Sequence, residues 1–262
     1  MSINLKSLIP VLNAEWTGSD TDIFVDHISI DSRSLQNGPK TLFFALSGPN
    51  NNAHDYIPDL IEKGVHNFVV THIPENYTQR ANYIVVENSL TALQTVAAYY
   101  RSLFDFPIIG LTGSNGKTIV KEWLNFLLSP DHNIIRSPKS YNSQVGVPLS
   151  VIAINEKHNL GIFEAGISTV SEMDKLEKII KPTIGLLTNI GSAHDEGFLN
   201  LVQKIDEKLL LFKETPVIIY QKTEVVHSCL TQFAAEYMLD SRKLFSWSFT
   251  DKHAAILVST KE

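Results

Sequence analysis

Pro107-Ile108-Ile109-Gly110-Leu111-Thr112-Gly113-Ser114-Asn115-Gly116-Lys117-Thr118 is the stretch on which the reading of the whole chain turns. A short apolar run passes into a glycine-rich turn that closes on Gly-Lys-Thr. Glycines let consecutive backbone N–H groups converge on one anion, and a helix beginning there adds the positive end of its dipole. The turn reads as a phosphate-binding loop, with the Lys117 ammonium reaching the β- and γ-phosphates and the Thr118 hydroxyl placed to ligate Mg2+. Residues 108–111 have the character of a buried strand, and Ile119, Val120, Trp123, Leu124, Leu127 and Leu128 are spaced as one face of a helix. One position departs from the general pattern: its first glycine belongs at 111, where this chain has Leu111, with Gly110 one place early. The competing reading is an ordinary glycine-rich strand-to-helix turn, and the Gly-Lys-Thr ending in this setting argues against it.

Outward from that stretch, strand and helix signals alternate. Strands are expected at 134–135, 160–164, 184–188, 217–220 and 254–258, and helices at 171–180, 199–212 and 225–237. Such alternation predicts a mostly parallel sheet covered on both faces, with ligands at the carboxyl ends of its strands. Upstream, strand signals at 23–30, 41–46, 67–70 and 83–86 mix with helical spacing at 56–63 and 90–103, and Ser47 to His54 forms a polar loop. The boundary falls at Asp105-Phe106-Pro107, because the residue before a proline is driven out of the helical region. The fold class is α/β: a small mixed α/β domain over 1–104, then a phosphate-loop, parallel-sheet domain over 105–262.

Composition narrows the function classes. The 262 residues are 44% hydrophobic and 19% charged, which is ordinary for a globular protein. A net charge of -6 argues against general affinity for nucleic acid or anionic membranes. One cysteine, Cys229, excludes an intrachain disulfide framework and reads as a small buried hydrophobe in a reducing compartment. The first residues lack a basic segment followed by an apolar core, and no apolar run approaches the ~20 residues of a membrane helix. A cytoplasmic protein without membrane insertion is expected.

Several further residues carry candidate chemistry. Glu164 ends the strand run Gly161-Ile162-Phe163-Glu164, where a carboxylate could bind Mg2+ or a metal-bound water, although a lone acid there is more often solvated or capping. His194 follows the next strand; by itself it would be a loop residue. Lys208 lies at the edge of an apolar stripe with Leu201, Ile205 and Phe212, and spacing alone favours a snorkelling surface lysine. Ser137 to Pro148 is rich in hydrogen-bonding side chains and reads either as a substrate loop or as a polar turn.

Taken together, Thr112 to Thr118 with Val120-Lys121-Glu122, then Tyr141-Asn142-Ser143-Gln144-Val145-Gly146-Val147-Pro148, Glu164-Ala165-Gly166 and Ala193-His194-Asp195-Glu196-Gly197-Phe198 resemble the Mur ligases. In that family the shifted glycine spacing is normal. Asp31-Ser32-Arg33, Phe44-Ala45-Leu46-Ser47-Gly48 and His54-Asp55 resemble its UDP-binding module. The resemblance implies ATP phosphates bound at Thr112, Gly113, Ser114, Asn115, Gly116, Lys117 and Thr118. It further implies Mg2+ and the γ-phosphate region held by Thr118, Glu164 and His194, with Lys208 as the lysine that the family carbamylates. A carbamate, unlike an ammonium, is an anionic oxygen donor suited to Mg2+. Asn142 and Ser143 would meet nucleotide or muramyl substrate, and Ser32 and Arg33 the uridine diphosphate end. Within the family, the wording is nearest to members that join D-alanyl-D-alanine to UDP-N-acetylmuramoyl-tripeptide through an acyl phosphate. The stretch 139–144 is most like the form fused to an alanine racemase. Two alternatives stay open: another amide ligase of this architecture, adding the third residue or extending folate with glutamate, and a nucleotide-binding fragment without ligase activity. Ile119 stands where a second threonine is common; the third, acceptor-binding domain of such ligases is not expected within these residues, and the central domain itself is expected to be incomplete.

Overall fold

Two units, Met1–Ser102 and Leu103–Glu262, each carry their own main sheet. The computed structural model describes residues 3–18, 22–35, 37–49, 51–191, 197–239 and 243–259.

The first unit runs β1 (Ile3–Asn4), α1 (Leu5–Leu12), β2 (Glu15–Thr17), β3 (Phe24–Val25), β4 (His27–Ser29), β5 (Thr41–Phe44), β6 (Ser47–Gly48), β7 (Asn51–Asn52), α2 (Ile57–Glu62), β8 (Asn67–Val70), β9 (Asn82–Val85) and α3 (Ser89–Arg101). Its five-stranded sheet has the order β2-β9-β8-β5-β4, parallel except for β2. β5 and β8 are buried along their whole length, as strands covered on both faces must be. The Phe68 ring packs edge-on against Phe43 and stacks on Tyr83, with centroids 6.2 and 5.7 Å apart. The single strand expected at 23–30 is divided: the Asp26 N–H leaves the ladder to donate to Lys40 O at 2.9 Å, and short β3 and β4 lie on either side. Helix α1 was not expected from the sequence, since Pro10 interrupts its spacing.

The second unit runs β10 (Ile108–Thr112), α4 (Lys117–Leu128), β11 (Ile134–Arg136), α5 (Gly146–Ile152), β12 (Leu160–Glu164), α6 (Met173–Ile180), β13 (Ile184–Leu187), α7 (Leu201–Leu209), β14 (Val217–Gln221), α8 (Glu224–Glu236), β15 (Leu244–Ser248) and β16 (Ile256–Leu257). The strands form one parallel sheet in the order β11-β12-β10-β13-β14-β15-β16. The chain leaves β10 through α4 toward one edge and leaves β13 through α7 toward the other. The crevice between these two neighbours is therefore the topological switch point, where ligands of open α/β sheets bind.

Gly110 explains the displaced glycine. A Cβ there would lie 2.8 Å from Pro182 Cβ, so this glycine lets the 182 turn pack on β10 and has no part in the phosphate turn. Helix α4 corrects the sequence reading. Val120, Leu124 and Leu128 pack on the cluster of Ile109, Leu111, Leu160 and Ile162, whereas Ile119, Trp123, Phe126 and Leu127 are exposed. At 100° per residue the apolar positions span too wide an arc for one face, and only the arc centred on Leu124 meets the sheet. The polar stretch at 137–148 likewise ends inside helix α5. Strand β15 was missed because its buried side chains are Ser246 and Ser248, the reverse of an apolar-in alternation.

Candidate phosphate and cation site

The loop between β10 and α4 is held from both sides. Gly113 has φ 143°, and a Cβ there would meet Thr188 Oγ1 at 2.1 Å, so only glycine fits. Thr188 Oγ1 donates to Asn115 O at 2.7 Å, Ser114 N to Asn189 O at 2.7 Å, and Asn115 N to Asn189 Oδ1 at 3.0 Å. Ser114 Oγ donates to Gly191 O at 3.1 Å, a carbonyl that also receives Lys204 Nζ. The buried Thr112 hydroxyl donates to Ala165 O at 3.0 Å, tying the base of the loop to the chain beyond β12. Thr112, Ser114 and Asn115 are thus committed to shaping the loop. The donors left for an anion are the first-turn N–H groups of α4, whose N-cap Gly116 makes no side-chain cap. The residues bracing the loop from β13, Thr188 and Asn189, were not singled out by the sequence reading; their position just beyond the neighbouring strand was the available signal.

Lys117 Nζ donates to Gly113 O at 2.7 Å, folded back across the loop. Burial pushes its pKa down, partly opposed by the Glu164 carboxylate. Glu164 ends β12 opposite Leu111 of β10 and is wholly buried. Thr118 Oγ1 donates to Glu164 Oε2 at 3.0 Å and lies 3.4 Å from Ser140 Oγ. The Glu164 N–H donates to Ser137 Oγ at 3.1 Å, and Lys121 Nζ lies 2.9 Å from Glu164 Oε1 as an ion pair without an aligned hydrogen bond.

Lys208 lies on α7 and is 1% exposed, so the surface reading is overturned. Among the described residues no hydrogen bond or ion pair is found for its ammonium, and its pKa is pushed down to about 8, first by burial and then by the charges of Lys117 and Lys204. The field of Lys117 reaching Lys208 brings α7 into the neighbourhood of the loop. His194 lies outside the described residues. Asn142 is joined to the turn after Glu164 through Gly166 N, which donates to Asn142 O at 2.8 Å. The Ser143 hydroxyl accepts from Gly146 N, the first residue of α5, at 3.1 Å.

In the first unit, Asp31 and Arg33 form an exposed pair at 2.9 Å, in which Arg33 holds the Asp31 carboxyl down at about 2. Ser32 and Arg33 follow β4, at the carboxyl end of the parallel strands. His54 is buried behind the 47–52 hairpin. Its Nε2 accepts from Thr71 N at 3.0 Å, so Nδ1 carries the proton and donates to Asn52 Oδ1 at 2.8 Å. The cavity of about 450 Å³ bounded by Thr17, His66, Arg80 and Asn82 is at the opposite, amino end of β8 and β9.

Among the described residues no group of three or more His, Cys, Asp or Glu gathers. The site nevertheless fits a Mg2+ ion bound together with a nucleotide. Such ions take one or two carboxylates and complete their shell with phosphates and water, and here a buried carboxylate faces a threonine hydroxyl at the mouth of an uncapped helix.

A parallel sheet with a glycine loop at its switch point, a lysine in the loop and a threonine–carboxylate pair beside it defines a nucleotide-binding α/β domain of the phosphate-loop class. A family profile described as the Mur ligase middle domain matches residues 111–256, and the chain belongs to the Mur ligase family. Among its relatives, the UDP-N-acetylmuramoyl-tripeptide–D-alanyl-D-alanine ligase of Synechocystis sp. is 36% identical over 178 residues, which are 68% of this chain and 39% of that protein. MurF from Acinetobacter baumannii shares the fold with a TM-score of 0.85 at 22% identity, over 94% of this chain and 53% of that one. The MurF ligase of Thermotoga maritima, solved in complex with ADP, matches with a TM-score of 0.73 at 23% identity, over 87% and 51% respectively. The chain spans about half the length of these solved relatives. No helix among the described residues is long and apolar enough to cross a membrane.

Proposed function

We propose that the chain is the nucleotide- and donor-binding part of a ligase that joins D-alanyl-D-alanine to UDP-N-acetylmuramoyl-tripeptide at the expense of ATP, the activity named for its relatives. The observation that carries this reading is the Thr118–Glu164 pair at 3.0 Å beside the open N-terminus of α4. A carboxylate resists an amine because it is anionic and would have to expel oxide. Transfer of the terminal phosphoryl group of ATP to the tripeptide carboxylate makes an acyl phosphate. Attack by the acceptor amine then forms the amide bond, and inorganic phosphate and a proton leave.

The residues in hand serve the first of these steps. The α4 N–H groups and Lys117 hold the β- and γ-phosphates, and Lys117, poorly solvated where it lies, gains by meeting them. Thr118 and Glu164 would hold Mg2+, with His194 and a modified Lys208 completing the set. When bound, the ion supplies charge neutralisation between the phosphates. A cavity of about 160 Å³ lined by Thr188, Asn189, Gln221 and Thr223 adjoins the loop and is the proposed place of the nucleoside end. Residues 1–104 are proposed as the UDP-binding domain, with Ser32 and Arg33 at the diphosphate and Asn142 and Ser143 at the reacting end. Fusion to an alanine racemase belongs to the same proposal and rests on the wording of 139–144 alone.

Lys208 fits carbamylation on physical grounds. With its pKa near 8, part of the population is neutral amine at physiological pH. That amine adds to CO2, forming an N–C bond and releasing a proton, which turns a buried cation into an anion in the field of Lys117 and Lys204. With 13C-labelled bicarbonate, a carbamate signal should appear in the wild type and be absent from Lys208→Arg; a signal that survives in the variant overturns the assignment.

Thermal-shift titration with UDP-N-acetylmuramoyl-tripeptide, with and without Mg·ATP and against a folate control, tests the whole reading. A ligand at a hundredfold excess over its dissociation constant stabilises the folded state by about 2.7 kcal/mol. Stabilisation by the muramyl nucleotide is expected. Stabilisation by Mg·ATP alone would leave a Mur-type nucleotide domain whose substrate is different. Because the chain spans about half of its relatives, binding is proposed for these residues and amide formation for the whole protein.

A further inference from the structure

Lys121 plays no part in the phosphate-loop motif, yet its side chain is among the most buried in the protein. It is 0% exposed. Its position follows from the helix: it lies one turn beyond Lys117, on the arc of α4 that faces β12. Lys121 Nζ lies 2.9 Å from Glu164 Oε1, donates to Ser137 O at 2.7 Å and to Lys139 O, and lies 3.2 Å from Glu122 Oε1. Glu122 in turn pairs with Arg136 at 3.1 Å. Charges therefore alternate from Glu164 outward through Lys121 and Glu122 to Arg136, and one ammonium joins three pieces of chain: α4, the end of β12 and the strand-to-loop passage at 137–139.

Stability alone does not account for a lysine in this place. An ion pair buried between a helix and a strand is commonly no more stabilising than well-packed apolar side chains of the same volume, because both charges must be desolvated. What the pair does supply is orientation. With Oε1 turned to Lys121, the Glu164 carboxylate has Oε2 left for Thr118 Oγ1, at 3.0 Å. The same ammonium fixes the carbonyls of Ser137 and Lys139, and Lys139 adopts a left-handed φ of 50° as the chain turns toward Tyr141 and Asn142.

We propose that Lys121 is a positioning residue for the cation half of the site: it dedicates one oxygen of Glu164 to itself, presents the other beside Thr118, and couples that carboxylate to the loop carrying Asn142 and Ser143. The proposal rests on the reading of Thr118 and Glu164 as Mg2+ donors. Lys121 itself is shielded from solvent and would act through Glu164.

The test is a Mg2+ titration of ADP binding to the 262-residue chain, read by calorimetry or with a fluorescent ADP, in wild type, Lys121→Met and Lys121→Arg. Loss of a residue that orients a metal ligand typically weakens metal affinity by about 10- to 100-fold. The Mg2+ concentration for half-maximal ADP binding should rise by about that factor in Lys121→Met, while Mg2+-free ADP affinity, carried by Lys117 and the α4 N–H groups, holds; Lys121→Arg, which keeps the charge, should recover part of the loss. A merely structural lysine would weaken both kinds of binding together. An unchanged Mg2+ requirement in either folded variant overturns the proposal, and so does a uniform loss with and without Mg2+. If Lys121→Met does not fold, Lys121→Arg carries the measurement. A wild type whose ADP binding ignores Mg2+ overturns the reading of the site itself and is thereby distinguished from failure of the positioning role.

Discussion

Lys121 and Lys208 are both lysines with almost no exposed surface, 0% and 1%, and they stand in opposite electrostatic surroundings. The ammonium of Lys121 meets the Glu164 carboxylate, Glu122 and two backbone carbonyls. For Lys208 no such partner is found among the described residues, and burial, with the positive fields of Lys117 and Lys204 added to it, pushes it down to about 8. Burial is common to both; the surroundings separate the lysine proposed to orient its neighbours from the one proposed to take up CO2.

The largest effect that could break this contrast is on stability. Lys121→Met leaves the Glu164 carboxylate buried without its counter-ion, and removing one partner of a buried pair lowers unfolding free energy by about 3–5 kcal/mol. Urea denaturation measures it, and a loss under about 1 kcal/mol would mean that the pair is dispensable to the fold. Lys208→Met should move the other way. Below pH 8 both the folded and unfolded chains hold the Lys208 proton, and the full penalty of confining it, about 3 kcal/mol, is present. Between pH 8 and the ordinary lysine value of 10.5 the unfolded chain binds more protons than the folded one, so wild-type stability rises with pH. In CO2-free buffer the methionine variant should therefore be the more stable at pH 7, with the gap closing as pH passes from 8 to 10.5. A gap that is constant with pH would show that Lys208 is not the titrating group.

His54 extends the comparison to a buried base kept neutral by its burial. Burial pushes its imidazole down to about 4 from 6.5. Its contribution is present above pH 6.5 and is lost as pH falls to 4, because the unfolded chain then binds more protons. The loss should be about 3 kcal/mol, followed by tryptophan fluorescence in an acid titration; a wild type and a His54→Gln variant with equal acid sensitivity would sink the assignment. The smallest effect is at the exposed end of the scale. Arg33→Ala should leave stability unchanged, since its pair with Asp31 lies in solvent, yet should weaken binding of the muramyl nucleotide measured by calorimetry. Unchanged binding would remove Arg33 from the proposed site.

Much of the frame was legible in the chain. The first five strands of the second unit's sheet, from β10 to β14, and helices α4, α6, α7 and α8 announce themselves by apolar runs and helical spacing. The elements that escaped notice have physical causes: β15 buries serines, α1 contains a proline, and α5 begins within a polar stretch. The phosphate loop was readable because its geometry demands particular residues in consecutive positions. Lys121 was not. A lysine four residues after Lys117 looks like a surface charge until the carboxylate it meets, 43 positions along the chain, is brought beside it.

By itself, then, the sequence determined the α/β class and the position of the phosphate loop, because backbone preference and apolar period act over a few residues and leave a local record; Glu164 and Lys208 entered the candidate set through the resemblance to a family. Only the tertiary structure decided which face of α4 is inside, that Gly110 serves packing against Pro182, that Ser114 and Asn115 spend their N–H groups on Asn189, and that the buried Lys121 meets Glu164. Those outcomes depend on distances between residues far apart in the chain and on the desolvation that close packing imposes, and neither is written in any short run of residues.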